Sequence, residues 1–235
     1  MTEKTDFETY LSVTNNNFQI FLFDKKKFKN LYKNELKIEN QSESIDLYNL
    51  SKFLDDNIFK IEKLAGTFIK NIFLIIESDK IFYVDVGIKK KKNHQNMINQ
   101  KYLENTLIEL KDLFKENHQE QNIMHIIINN FLIDEKNYSS FVNNLNGDYL
   151  CLEVNFKCIS NSLMNEFDKI LEKYQIKITQ YLDGSYVKNF QNENDIQLSE
   201  MSHKLRNGLN FNEVLLVPKN IENKGFFEKF FQLFS

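Results

Sequence analysis

The sequence has few of the residues that mark common catalytic or binding motifs. Its 235 residues include one proline, six glycines, two cysteines and no tryptophan. No G-x-x-x-x-G-K-[ST] loop, G-x-G-x-x-G turn or paired C-x-x-C is present. This excludes the usual phosphate loop, the dinucleotide-binding turn and a zinc site built from cysteine pairs.

A long apolar run is also absent. A segment that crosses a bilayer needs about 20 consecutive apolar residues, and no stretch of this sequence approaches that length. The first ten residues, MTEKTDFETY, are polar and lack the apolar core of a signal peptide. We therefore expect any membrane contact to be made from the cytoplasmic side, by a segment that lies on the surface.

Charge and cysteine usage limit the partners and the compartment. The formal net charge is -3 and the pI is about 5.9, so no overall positive field attracts nucleic acid, and we expect no nucleic-acid partner. Cys151 and Cys158 lie an odd number of residues apart in a strand-like stretch, so they would face opposite sides of a sheet. We interpret them as reduced core thiols of a cytoplasmic protein.

No set of residues indicates catalysis. The four histidines, His94, His118, His125 and His203, are scattered, and no spacing isolates an acid and base pair or a nucleophile beside a base. We expect no enzyme activity, no catalytic or metal site and no cofactor. The lysine run at 89–92, in GIKKKKNH, is interpreted as a solvated loop between a strand and a helix.

Hydrophobic periodicity predicts an α/β (α+β) fold with mixed β-sheet layers and helices packed on the faces. Three segments have the helical period, and the first of them ends at Gly66, where a C-cap is expected. Six segments are rich in Ile, Val, Phe and Tyr, as strands are. The helical segments are residues 45–66, 99–117 and 163–174, and the strand segments are 10–23, 68–77, 80–88, 123–133, 149–160 and 175–183.

The segment KGFFEKFFQLFS, residues 224–235, predicts an amphipathic helix. On a helical wheel its large apolar side chains fall within one arc of roughly 160°. We interpret this face as a membrane-binding surface, with docking onto another protein or onto the protein's own core as the alternatives. The predicted membrane-binding residues are Phe226, Phe227, Phe230, Phe231, Leu233 and Phe234, with Lys224 and Lys229 beside them.

Read in order, these segments resemble the bacterial actin-like cell-division protein FtsA. Residues 44–81 are similar to its helix and the strand that leads into an inserted interaction subdomain. Within residues 100–137, MHII at 124–127 and FLID at 131–134 are similar to a strand close to "LHVIP" and an "F-x-I/V-D" step. The stretch that begins at YLCLEV, residue 149, resembles the return into the actin core, and the amphipathic segment is the fourth match.

The resemblance implies a domain organisation. It consists of a disordered N-terminus at 1–9, a partial actin-like lobe at 10–190 with the inserted interaction subdomain at 79–178, a polar tether at 191–223 and the helix at 224–235. Where the family has a glycine in its first phosphate hairpin, this chain has LSVTNNNFQIF, and the remaining residues are too few for the second lobe. We therefore expect neither binding nor hydrolysis of ATP in the family's manner.

The function implied is a non-enzymatic cell-division adaptor on the cytoplasmic side of the bacterial inner membrane, peripheral and at the division site. It would self-associate, contact other division proteins and bind the membrane surface. The alternative is a pilus-assembly scaffold of the related actin-like type, which docks a peptide from an inner-membrane protein. A remnant of a decayed division gene is a third hypothesis, and the intact helical periodicity disfavours it.

Overall fold

The computed structural model describes residues 6–39, 44–92, 98–140, 146–191 and 196–215. In chain order the elements are β1 (Phe7–Val13), β2 (Asn17–Asp24), β3 (Lys29–Lys37), α1 (Leu47–Ala65), β4 (Asn71–Ile76), β5 (Phe82–Lys91), α2 (Gln100–Asn117), β6 (Gln121–Ile133), β7 (Lys136–Tyr138), β8 (Tyr149–Ser160), α3 (Asn161–Glu172), β9 (Lys177–Asp183), α4 (Gly184–Asn189), α5 (Leu198–Arg206) and β10 (Glu213–Val214). The predicted α/β class is confirmed.

The chain divides into two units. The first comprises the chain up to Ile81 together with Ser160–Asn207, and the second comprises Phe82–Ile159 and the chain from Gly208 onward. The predicted insert, 79–178, reaches further than the second unit because α3 belongs to the first. There the Tyr181 hydroxyl of β9 donates a hydrogen bond to Asp168 of α3, at 3.2 Å.

The sheet of the first unit has the order β3-β2-β1-β4-β9. Strands β1, β2 and β3 form an antiparallel meander, whereas β4 runs parallel to both β1 and β9. The predicted single strand at 10–23 is therefore a hairpin. Residues 14–16 form its turn, because Thr14, Asn15 and Asn16 are polar and asparagine favours turns over strands.

Helices α1 and α3 pack on one face of this sheet. The Asn57 side chain of α1 is fully buried, and its carbonyl oxygen accepts hydrogen bonds from the Tyr32 hydroxyl (2.6 Å) and the Asn34 amide (2.8 Å) of β3. The helix begins after Asp46, whose side chain accepts from the Asn49 N–H, and ends at Gly66 with φ 69°. The predicted C-cap is confirmed.

Helix α5 covers the opposite face. Its residues Leu198, Met201 and Leu205 are buried, although residues 191–223 were predicted to form a polar tether. The prediction was wrong for 196–215 because the buried side of α5 also carries charged side chains, which hides the apolar period in the sequence. The predicted disordered N-terminus is likewise corrected at residues 7–9, which belong to β1.

The second unit has the sheet order β10-β6-β8-β5, with β7 paired to β6. Helix α2 buries Leu103, Leu107, Leu110 and Phe114 in a common core with side chains of β6 and β8. In β8, Cys158 lies in that core while Cys151 is partly exposed, so the prediction that the cysteines face opposite sides is confirmed. Burial raises the pKa of the Cys158 thiol to about 12, which keeps it protonated.

A charged cluster joins α5 to the first sheet. The Glu8 carboxylate accepts hydrogen bonds from the Tyr10 hydroxyl (2.6 Å) and His203 Nδ1 (2.7 Å), and Arg206 Nη1 lies 3.3 Å away. The Arg206 guanidinium also stacks on the Phe73 ring, with 3.2 Å from Cζ to the ring centroid. Burial disfavours the charged carboxylate, but the His203 hydrogen bond and the Arg206 charge outweigh it and lower the pKa of Glu8 to about 2.

This cluster predicts a loss of stability in acid. Because the pKa of Glu8 is lower in the folded state, its contribution is complete above about pH 4.5 and disappears as the pH falls towards 2. The contribution is at most about 3.5 kcal/mol, at about 1.4 kcal/mol per pKa unit. Urea unfolding at several pH values should show E8Q less stable than the parent at pH 7 and equal to it near pH 2. The control is E200Q, on the outer ion pair with Lys204, and an E8Q deficit that does not change with pH would contradict the account.

Candidate functional site

A polar cavity lies at one edge of the first sheet. Parallel strands β1, β4 and β9 have their carboxyl ends at the same edge, which is where open sheets of this kind bind ligands. The residues that follow these strands surround a cavity of about 710 Å³. Its lining consists of Thr14, Asn15, Asn16, Asn17, Glu77, Ser78, Asp79, Ser185 and Lys188.

The turn between β1 and β2 uses its own donors internally. The Thr14 N–H donates to the Asn17 carbonyl (2.9 Å), and the Thr14 hydroxyl donates to Asn16 Oδ1 (2.9 Å). A phosphate group bound by a turn needs exposed backbone N–H groups and the close approach that glycine allows. This turn contains no glycine, so it lacks the close backbone approach on which such a site depends.

The charges in the cavity also oppose a phosphate. Glu77 and Asp79 carry negative charge, and the lining contains one lysine, Lys188, which forms an ion pair with Glu77. A nucleoside triphosphate would thus meet carboxylates and a lysine that already has a partner. These residues do not fit the ATP that is bound in the family which the sequence resembles.

Asp183 and Gly184, which connect β9 to α4 at this end of the sheet, were not identified from the sequence. Asp183 is fully buried, and its carboxylate accepts from the Ser185 N–H at 3.1 Å, which starts α4. A Cβ atom on Gly184 would lie 3.1 Å from Glu77 Cβ and 3.2 Å from the Ile76 carbonyl oxygen. A side chain here would force the end of β4 or the start of α4 to shift by a few tenths of an ångström, so glycine allows their close packing.

A second candidate surface is the outer edge of β5. Strand β5 is last in the order of the second sheet, and among the described residues no strand pairs with its outer side. Its ten residues span about 33 Å. The lysines at 89–91 belong to this strand, so the prediction that they form a solvated loop was wrong.

Cross-strand contacts explain why a lysine run forms a strand here. The Nζ atoms of Lys89 and Lys91 lie 5.0 and 5.9 Å from the centroid of the Tyr149 ring on β8. The Lys90 ammonium lies 2.6 Å from the Glu109 carboxylate of α2. Each contact favours the extended backbone that aligns these side chains with β8.

The charge along this edge is uneven. Near the start of β5, the Asp85 carboxylate accepts hydrogen bonds from Asn155 (2.8 Å) and Asn129 (3.3 Å). Near its end lie three consecutive lysines, and within the described ranges one carboxylate, that of Glu109, lies within salt-bridge distance of them. The carboxyl-terminal half of the edge is therefore electropositive.

The three histidines among the described residues, His118, His125 and His203, have structural partners. His118 packs against the rings of Phe82 and Phe114, with centroids 5.3 and 4.8 Å away. His125 is buried, and its Nδ1 lies 2.6 Å from Glu213 Oε1, across 88 positions of sequence. In the described part of the chain, no group of three or more His, Cys, Asp or Glu residues is placed to hold a metal ion.

The predicted membrane-binding residues lie outside the described residues, as does His94. They are Lys224, Phe226, Phe227, Lys229, Phe230, Phe231, Leu233 and Phe234. Among the helices that are described, none has the length and apolar character needed to cross a membrane.

No family model matches the sequence, and no curated protein matches it. Solved structures with a similar course of the chain include the cytoplasmic domain of EpsL, an inner membrane component of the type II secretion system of Vibrio cholerae. It has 8% sequence identity and a TM-score of 0.33, and the match covers 75% of this chain and 57% of that one.

Two further structures are similar. A Bacteroides thetaiotaomicron protein of unknown function with an actin-like ATPase fold has 15% identity, 80% and 57% coverage of the two chains and a TM-score of 0.36. A chain of the PilM-PilN type IV pilus biogenesis complex has 7% identity, 78% and 49% coverage and a TM-score of 0.44. The chain thus spans about half the length of the structures it matches. TM-scores below 0.5 do not establish a common function.

The cavity predicts that the protein does not bind ATP with millimolar or better affinity. Its carboxylates and glycine-free turn leave no cradle for phosphates, so isothermal titration with MgATP should give no saturable heat, and phosphate release should equal that of buffer. Saturable binding that K188A abolishes, while the surface variant K26A retains it, would contradict this account of the cavity.

Proposed function

We propose that the protein is a non-enzymatic scaffold of the actin-like, pilus-assembly type. It rests on the cytoplasmic face of the inner membrane through residues 224–235 and binds an extended cytoplasmic segment of an inner-membrane protein. The observation that carries this proposal is the long outer edge of β5, with its lysine-rich end. The cavity that does not fit phosphates supports the absence of ATP chemistry.

The β5 edge suits the addition of a strand. A strand at the edge of a sheet presents a row of backbone N–H and C=O groups with which an extended peptide can form hydrogen bonds. The side chains of the peptide then supply specificity. Lysines on such an edge discourage pairing with copies of the same strand. A peptide with acidic side chains turns this repulsion into attraction, so Lys89 and Lys91 select an acidic partner.

The amphipathic segment at 224–235 supplies the membrane contact. Each fully buried Phe or Leu contributes roughly 1.5 to 3 kcal/mol, and an interfacial helix buries its apolar face only in part. Residues 219–229 contain one more lysine than glutamate, so anionic lipid adds about 1 kcal/mol. Because a short helix in water is not stable alone, binding by one copy is weak and reversible.

A cell-division adaptor that resembles FtsA is the second candidate. The four segments that carry the sequence resemblance favour it, and self-association would strengthen weak lipid binding through avidity. Both candidates share the membrane contact and differ in the partner.

Sedimentation with liposomes tests the membrane contact. With vesicles of phosphatidylethanolamine and phosphatidylglycerol, the full chain should pellet and a chain that ends at Asn223 should stay in solution, because the truncation removes the apolar face. The matched control is Q232A, a change on the polar side of the helix, which should pellet like the parent. If the parent and the truncated chain pellet equally, residues 224–235 are not the anchor.

Hydrogen exchange tests the β5 edge. A short peptide that alternates glutamate with valine should slow exchange of the backbone amides in residues 82–91, because it completes their hydrogen bonds. The protection should be lost in K89E/K91E and kept in K52E/K60E, a matched pair of changes on the exposed side of α1. Equal protection by a peptide that alternates lysine with valine would contradict the charge selectivity proposed for this edge.

A further inference from the structure

An exposed apolar loop precedes the predicted membrane segment. In the loop at 208–212, Phe211 has 88% of its surface exposed and Leu209 has 43%. Phe211 is the most exposed large hydrophobic residue in the described part of the chain. An isolated exposed apolar side chain is common on protein surfaces. A binding role for Phe211 therefore depends on the backbone structure of the loop and on its position in the chain.

The backbone of the loop is held by its own hydrogen bonds. Gly208 begins it with φ 88°, a conformation that favours glycine. The Asn210 side chain accepts from the Asn212 N–H (3.0 Å), and the Asn210 carbonyl accepts from the Glu213 N–H (3.1 Å). These bonds hold a turn whose outermost apolar side chain is Phe211.

Strand β10 fixes the loop to the second unit. The Ile128 N–H of β6 donates to the Asn212 carbonyl at 2.9 Å, and Val214 is buried in the core of that unit. The Glu213 carboxylate, only 6% exposed, pairs with the buried His125. The backbone on both sides of Phe211 is therefore held in place, and the phenyl ring is exposed on an ordered loop.

Chain length places the loop near the predicted membrane segment. Eight residues lie between Leu215 and Lys224, and a fully extended chain spans at most about 3.6 Å per residue, or about 32 Å over these nine steps. If residues 224–235 lie in a lipid interface, Leu215 must lie within this distance of it. Of the described residues, those of β10 and the 208–212 loop have the shortest connection to the bilayer.

We propose that Phe211, with Leu209 beside it, forms a second contact with the lipid surface and thereby sets which side of the second unit faces the membrane. This inference rests on the proposed membrane anchor at 224–235. A rigid loop that inserts one aromatic ring adds buried apolar area at a low entropic cost, because its backbone is already ordered. It also gives the second unit a defined orientation at the lipid surface.

Single-tryptophan variants provide the test, because the natural sequence contains no tryptophan. F211W reports on the loop, F230W on the anchor, and F68W serves as a control at a residue of the first unit that is 78% exposed. Each variant is mixed with vesicles of phosphatidylethanolamine and phosphatidylglycerol. Emission maximum and quenching by acrylamide are measured with the full chain.

We expect the emission of F230W and F211W to shift to shorter wavelength and to be shielded from acrylamide, with no change for F68W. A shift for F230W but none for F211W would overturn the loop proposal and leave the anchor standing. No shift for F230W would overturn the anchor and the loop proposal with it. Equal shifts for F68W and F211W would also overturn the loop proposal, because the lipid contact would not be specific to the loop.

A second measurement uses the loss of the apolar group. F211S should lower the affinity for vesicles several-fold, whereas F68S should leave it unchanged. Both residues are exposed, so neither change should alter the thermal unfolding midpoint. An affinity for F211S equal to that of the parent would contradict the proposal.

Discussion

The first sheet must be covered on both faces, and much of the remaining architecture depends on this. Strands β1, β2 and β4 bury side chains on both sides, which is the pattern of a sheet between two layers of helices. Helices α1 and α3 cover one face, and α5 returns from later in the chain to cover the other. The contact between Arg206 and Glu8 holds α5 on this face. The chain leaves the first unit directly after this helix, at residue 208.

The backbone topology creates the cavity in the first unit and the β5 edge in the second, whereas the side chains decide what each can bind. Parallel strands bring Thr14, Glu77 and Ser185 to one end of the first sheet. The carboxylates and the glycine-free turn at this end do not suit phosphates, so the fold alone does not set the function. At the outer edge of β5, which pairs with no other described strand, the lysines instead suit an extended acidic segment.

Strongly periodic segments were predictable, and segments whose partners are distant in sequence were not. Helix α1 could be found from its apolar stripe and its cap at Gly66. Strand β3, KNLYKNELK, was missed because it is an exposed edge strand with few apolar residues. Helix α5 was mistaken for a tether because its charged residues, such as Arg206, are satisfied by Glu8, which lies near the other end of the sequence. The lysines at 89–91 became a strand through contacts with Tyr149 and Glu109, which no local pattern reveals.

The central claim is that a scaffold without nucleotide chemistry holds a partner at the membrane, and flotation of the full chain with anionic vesicles tests it most directly. The measurement is the fraction that floats without nucleotide, with MgADP and with MgATP. The account predicts the same fraction in all three conditions. The cavity does not fit phosphates, and the proposed lipid contacts are made by residues outside the cavity. A fraction that changes with MgATP would contradict it, because nucleotide would then control membrane attachment.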